Sequence, residues 1–177
     1  MHLSKVFCFQ VSVTLVQGNK DLSITDLTSD SRQAKRGCLF AAISGKKIDG
    51  HSFIENAIRN GAVAILTDRR DIKFPKNITV LFSDNVRGDF AKACAIFWPS
   101  RPSFSVAVTG TNGKTSTVEF LRQIWERNTW NAVSLGTLGA RTSSELNLPY
   151  SSLTTPPAEY LFSTLHNLNK QNISYLA

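Results

Sequence analysis

A six-residue run, Phe104-Ser105-Val106-Ala107-Val108-Thr109, leads directly into Gly110-Thr111-Asn112-Gly113-Lys114-Thr115-Ser116. A segment with apolar residues at helical spacing follows it. This order reads as strand, glycine turn, helix, and it allows few folds. Gly110 and Gly113 let the backbone curl tightly. The amides of the turn and of the helix start then point at one spot, and the helix dipole favours negative charge there. A phosphate fits such a cradle. Gly110, Thr111, Asn112, Gly113, Lys114, Thr115 and Ser116 are therefore the candidate nucleotide-binding residues. Lys114 can reach the β- and γ-phosphates of a nucleotide as a point charge, which makes it the candidate catalytic residue. The Thr115 hydroxyl is placed to ligate Mg²⁺, directly or through water. The longer GxxxxGK[ST] pattern would need glycine at position 108, where this chain has Val108. The competing reading is a glycine-rich turn whose Lys114 only caps the helix or faces water.

The preceding segment alternates strand and helix patterns. Cys38 to Ile43 is an apolar run closed by Ser44-Gly45, so a buried strand is expected. Phe53, Ile54, Ala57 and Ile58 recur at helical spacing up to Asn60-Gly61. Ala62 to Thr67 and Ile78 to Phe82 read as two more strands. Asp84 then stands where it could cap a helix carrying Val86, Phe90, Ala93, Ala95 and Phe97. Val6-Phe7-Cys8-Phe9 is read as a first strand or helix, a weak secretory signal being the lesser alternative. Beyond the glycine turn, Val118, Leu121, Ile124 and Trp125 form one helix face. Ala132 to Leu135 is a strand ending at Gly136. A helix runs from Pro157 through Leu168, and Ile173 to Ala177 reads as a strand. The pattern is α/β with parallel sheets. Trp98-Pro99-Ser100-Arg101-Pro102-Ser103 reads as a linker, because proline stops the preceding helix and stiffens the connection. Two domains are expected, residues 1–99 and 100–177.

Hydrophobic residues make up 42% of the 177, which excludes low-complexity disorder. No apolar run approaches the ~18 residues of a membrane helix. Cys8, Cys38 and Cys94 are odd in number and widely spaced, with no metal-binding pattern, so buried thiols in a reducing compartment are expected. Net charge is +7, and residues 1–102 hold 15 of the 20 basic residues but 9 of the 13 acidic ones. A basic first half suits an anionic partner. No lysine-arginine block and no aromatic-basic repeat is present, so a phosphorylated small molecule is favoured over nucleic acid.

The glycine turn after Val106-Ala107-Val108-Thr109 resembles the ATP loop of the Mur ligases, the amide-forming enzymes of peptidoglycan synthesis. Further stretches carry the same resemblance: Asp30-Ser31-Arg32, Gly37 to Ala42, Gly45, Asp49 to Ile54, and Asn60-Gly61-Ala62. Gly136-Thr137-Leu138-Gly139 and Leu153-Thr154-Thr155-Pro156 are similar to the members acting on UDP-MurNAc-L-Ala-D-Glu. The resemblance implies an N-terminal domain for the UDP end of the substrate and the start of a central ATP domain. It implies ATP and Mg²⁺ as cofactors, and a diamino acid, diaminopimelate or lysine, as the second substrate. It also implies a bacterial cytoplasmic enzyme, monomeric at full length, with no nucleic-acid or membrane partner.

By position, the resemblance makes Ser29, Ser31, Lys46, Lys47, Ile48, Thr154 and Thr155 contacts to the UDP-sugar substrate. Each has a plainer rival. Ser31 and Thr155 could be caps, Lys46 and Lys47 exposed surface lysines, and Asp30 and Arg32 a structural pair. His51 reads as a packed or surface residue. Leu153 and Pro157 depart from the family pattern. The family also continues with an acidic stretch, a modified lysine and a third domain, so the chain is read as an N-terminal fragment that would not catalyse ligation alone. A non-catalytic UDP-sugar-binding module and an unrelated phosphate-loop NTPase remain the alternatives.

Overall fold

The structure is a computed structural model that describes residues 1–7, 12–45, 48–143 and 156–177. It is mixed α/β with two mainly parallel sheets, and the chain divides into two compact units, Met1–Phe97 and Trp98–Ala177.

The first unit begins with a short helix, α1 (Leu3–Val6), and then β1 (Val13–Gln17), β2 (Asp26–Thr28) and β3 (Cys38–Ala41). A turn of 3₁₀ helix over Gly50–Phe53 leads into α2 (Ile54–Arg59). β4 (Ala64–Thr67), β5 (Thr79–Ser83) and α3 (Val86–Phe97) complete it. The sheet order is β1-β5-β4-β3-β2. β2 through β5 pair in parallel, and β1 closes the β5 edge antiparallel. β3, β4 and β5 are buried at every position, which explains their unbroken apolar runs: a parallel sheet is covered on both faces. On one face Phe40, Ala42, Ile65 and Val80 pack with Ile54 and Ala57 of α2. α3 packs on β3, β4 and β5, and α1 lies against α3.

The second unit holds β6 (Phe104–Ser105), α4 (Lys114–Arg127), β7 (Ala132–Gly136), β8 (Gly139–Arg141), α5 (Ala158–Lys170) and β9 (Tyr175–Leu176). Its sheet order is β6-β9-β7-β8, parallel except for the β7–β8 hairpin. Strand alternation sorts neighbours to opposite faces. Ala132, Tyr175 and Ala177 meet Val118, Leu121 and Trp125 of α4. Val133, Leu176 and Ile173 meet Leu165 and Leu168 of α5. Tyr175 stacks on Trp130, and Trp125 meets Phe104 edge-on.

Three expectations change. The strand expected over 104–109 is regular only at Phe104 and Ser105, with Val106 adding one bond to the Leu176 carbonyl. Beyond that point the ladder to β9 gives way to the turn. The cap of α3 is Asn85 rather than Asp84: the Asn85 side chain accepts from the Gly88 amide at 3.1 Å, and Asp84 is exposed. Ile124 leaves the buried face of α4 and is 55% exposed beside exposed Phe120, because positions 118, 121 and 125 already fill the face toward the sheet. α1 ends at Val6 with Phe7 buried, while Cys8 and Phe9 lie outside the described residues. Cys38 and Cys94 are buried thiols.

Phe40 is fully buried at the centre of the first core. Phe40→Ala should cost about 3–5 kcal/mol through lost burial and a cavity. Amide hydrogen exchange of the β3–β4 ladder should show that loss of protection.

Candidate functional site

Parallel strands end at a common edge, and in open α/β sheets ligands bind there. In the second unit, the turn after β6 and the hairpin after β7 meet at that edge. Gly113 precedes α4 with φ 79° and ψ −8°, a left-handed conformation. A Cβ there would meet nothing within 4 Å, so the demand for glycine is conformational and not steric. No side chain caps the helix at Gly113. The amides of Lys114, Thr115 and Ser116 therefore have no intrahelical acceptor, whereas Thr117 already bonds the Gly113 carbonyl. A cavity of about 350 Å³ lies against these residues, lined also by Thr111, Asn112, Val108 and Val118. Gly110 shapes the turn with φ 149° and is not among the lining residues.

Lys114 bends back across the turn. Its Nζ donates to the Gly110 carbonyl and, at 3.3 Å, to the Thr111 carbonyl. The ammonium is thus held over the loop by two neutral acceptors. The Thr115 hydroxyl lies 3.1 Å from the hydroxyl of Thr137. Thr137 sits in the two-residue turn between Gly136 and Gly139 and also lines the cavity. In the sequence it belongs to the Gly136-to-Gly139 stretch but has no role assigned to it there. The two flanking glycines were the available signal, since they mark a tight hairpin that would bring its tip to the strand edge.

A half-buried ion cluster holds α4 in place. Arg122 donates to both Glu119 and Glu126, and all three side chains are at most 17% exposed. Glu119 also accepts from Ser134 of β7 at 3.0 Å, and Glu126 from the Ser143 amide at 2.7 Å. The Arg122 guanidinium is the main cause that lowers the Glu119 carboxyl to about 2, against the cost of burial and with help from Ser134 and Gln123. These carboxylates are occupied with structure and lie down the helix from the cavity.

In the first unit, the ends of β2 to β5 gather the other candidates. Ser31 follows β2 and is buried; its carbonyl accepts from the Asn60 side chain at 2.8 Å. Ser29 is half-buried. Arg32 is exposed and grips Asp30 in a fork, with contacts of 2.7 to 3.2 Å. This pair is the structural one the sequence allowed, and Arg32 holds the Asp30 carboxyl below its usual range. Ile48 follows β3 and is 64% exposed. Lys46, Lys47, Thr154 and Thr155 lie outside the described residues. Among the described residues no group of His, Cys, Asp and Glu side chains is arranged to hold a metal ion. None of their helices is long and apolar enough to cross a membrane.

Glu119 generates a pH prediction. Its folded pKa lies below the unfolded value of about 4.5, so its contribution is complete above pH 4.5 and is lost as pH falls toward 2. That contribution is up to about 3 kcal/mol. The acid limb of urea-denaturation stability between pH 5 and 2 should be shallower for Glu119→Gln than for the unaltered chain.

The Mur ligase family, catalytic domain, matches residues 23–100, and the Mur ligase middle domain matches residues 108–177. The UDP-N-acetylmuramoyl-L-alanyl-D-glutamate--2,6-diaminopimelate ligase of Brucella melitensis is 40% identical over 157 residues, 89% of this chain and 32% of that protein. The ligase of the same name from Caulobacter vibrioides is 39% identical over 161 residues, 89% of this chain and 33% of that one. This chain thus spans about a third of the length of these relatives. Among solved structures, a ligase of that name superposes with a TM-score of 0.77 at 20% identity, covering 99% of this chain and 35% of its own. That likeness shows the fold. The MurF ligase from Thermotoga maritima in complex with ADP matches with a TM-score of 0.52 at 26% identity, over 89% of this chain and 32% of its own. With both domain models matched in order along one α/β chain, this protein belongs to the Mur ligase family.

Proposed function

We propose that the chain supplies the UDP-substrate and ATP sites of a ligase that adds a diamino acid to UDP-MurNAc-L-Ala-D-Glu. The observation that carries this reading is the uncapped start of α4, with Lys114 and Thr115 facing one cavity beside Thr137. The named relatives supply the choice of substrate, and 2,6-diaminopimelate is favoured over lysine on their names. A carboxylate is a poor electrophile. Transfer of the γ-phosphoryl group of ATP to the terminal carboxylate of the UDP substrate, with ADP leaving, creates an acyl phosphate. The amine of the diamino acid then attacks the acyl carbon, and phosphate departs as the amide forms.

In that reaction this chain's residues bind and orient. The first amides of α4 receive the phosphates, and Lys114 exchanges its two carbonyl partners for phosphate oxygens. The donor set for Mg²⁺ is one hydroxyl, Thr115, which suits an ion that keeps waters and takes most of its ligands from the nucleotide. Mg²⁺ bound there would offset the negative charge of the phosphates. The Thr137 hydroxyl, 3.1 Å away, fixes the rotamer of Thr115. Ser29, Ser31, Lys46, Lys47 and Ile48 of the first unit are assigned to the UDP end, and Thr154 and Thr155 to contacts with the UDP-sugar substrate. A cytoplasmic setting, a monomeric full-length enzyme and the lack of nucleic-acid or membrane partners belong to the same reading.

Two titrations of the 177-residue chain test it. Lys114→Ala should weaken ATP binding roughly 10- to 100-fold, as expected for loss of a charged hydrogen-bond partner. Equal ATP affinity in the two proteins would overturn the nucleotide assignment. Addition of UDP should shift the amide resonances of Ser29, Ser31 and Ile48; no shift at these positions would overturn the assignment of the first unit.

A further inference from the structure

The first unit contains a buried histidine that the proposed function does not use. His51 lies in the 3₁₀ turn after β3, with its side chain only 3% exposed. Both ring nitrogens meet carboxylates. Nδ1 is 2.6 Å from Asp49 Oδ1, and Nε2 is 2.8 Å from Asp68 Oδ1 and 3.1 Å from the Thr67 hydroxyl. Thr67 is the last residue of β4 and Asp68 follows it, so the ring ties the 3₁₀ turn after β3 to the end of β4. Asp49 is held further. It accepts from the His51 amide at 3.1 Å, and its other oxygen accepts from Arg69 at 2.7 Å. His51 and Arg69 hold the Asp49 carboxyl below its ordinary range.

Asp49 is also the returning limb of the loop after β3. It bridges Ser44 across that loop, and the Gly45 amide donates to the Ile48 carbonyl at 3.0 Å. The next residue, Gly50, donates to the Ile43 carbonyl, and a Cβ there would lie 2.5 Å from that oxygen. The return is therefore too tight for any side chain at position 50. Ile48 is exposed on this loop, so its position depends on what fixes the two limbs.

We infer that His51 is a positioning residue: it locks Asp49 to the end of β4 and thereby sets Ile48 and the loop base for the UDP end of the substrate. This inference rests on the proposed assignment of Ile48 to that substrate. The groups that face the ring are Asp49 from its own turn, and Thr67 and Asp68 from β4 and its end. Arg69 acts on it through Asp49. The imidazole is the side chain that brings the Asp49 and Asp68 carboxylates together, one at each ring nitrogen. Removal of the imidazole leaves Asp49 with fewer donors and cuts the tie to β4. The loop base then loses its fixed attachment to the strand edge, and its backbone bond from the Gly45 amide to the Ile48 carbonyl opens more often.

The test uses the 177-residue chain with UDP and ATP as probes. His51→Gln should weaken UDP binding roughly 10-fold, the size expected when a buried polar contact is lost. Exchange of the Gly45 amide should quicken, while ATP affinity and the protection of the β3–β4 ladder stay as in the unaltered chain. Unchanged UDP affinity with faster exchange, or a joint loss of UDP binding, ATP binding and ladder protection, would overturn the inference. Should His51→Gln fail to fold, Arg69→Ala removes the exposed hold on Asp49 instead. Weaker UDP binding in that variant supports the inference, and unchanged binding overturns it. If the unaltered chain binds no UDP, the assignment of Ile48 fails. The Gly45 exchange rates then decide the lock alone: a rate unaffected by His51→Gln overturns it.

Discussion

Parallel pairing makes β2 to β5 in the first unit, and β6, β7 and β9 in the second, deliver their C-terminal ends to one edge of their own sheet, and the functional geometry depends on that. In the first unit, β2, β3, β4 and β5 bring Ser29 and Ser31, the Ser44–Asp49 loop, Asp68 and Asn85 to that side. In the second, β6 and β7 bring the glycine turn and Thr137 together. Residues far apart in sequence share an edge without any need for the chain to cross the core. The cost is that both faces must be covered, which is why the interior strands read as unbroken apolar runs.

Aiming the first amides of α4 at one point also requires that the helix not rock. Trp125, Leu121 and Val118 seat it on the sheet, but apolar contacts are tolerant of small rotations. The Glu119–Arg122–Glu126 cluster adds direction, because Ser134 of β7 and the Ser143 amide each fix one carboxylate. Burying three charges is expensive unless each is hydrogen-bonded. Here the two carboxylates share one guanidinium and take further donors from the sheet side, so the expense is met by bonds that also fix the helix axis.

The sequence revealed those features whose local chemistry is strong. The Gly110-to-Thr115 turn was legible because two glycines, a lysine and a threonine are each required by one anion cradle. β3, β4 and β5 were legible because double burial leaves an apolar run. β2 and β8 were missed for the opposite reason: Asp26–Thr28 and Gly139–Arg141 are three residues each and draw their order from a neighbouring strand. β1 alternates as an edge strand, yet its polar positions hid it. The overlong expectation for β6 has a similar origin, since Val106 to Thr109 look like a strand until the ladder partner is counted. The Thr115–Thr137 contact and the grip of His51 on Asp49 and Asp68 join remote segments: the paired glycines mark the hairpin that carries Thr137, but no residue type or spacing names its partner.

The self-bonded state of Lys114 has a consequence for ligand choice. Its ammonium is already satisfied in part by the Gly110 and Thr111 carbonyls. Any incoming anion must therefore outcompete an internal pseudo-ligand, and the measured affinity is the intrinsic one reduced by that competition. A singly charged carboxylate or halide gains little by the exchange. A polyphosphate spans the helix amides and the lysine at once, so its gain covers the displacement. For the proposed nucleotide site, the internal contacts of Lys114 thus set a charge threshold that a polyphosphate passes more readily than a small monovalent anion.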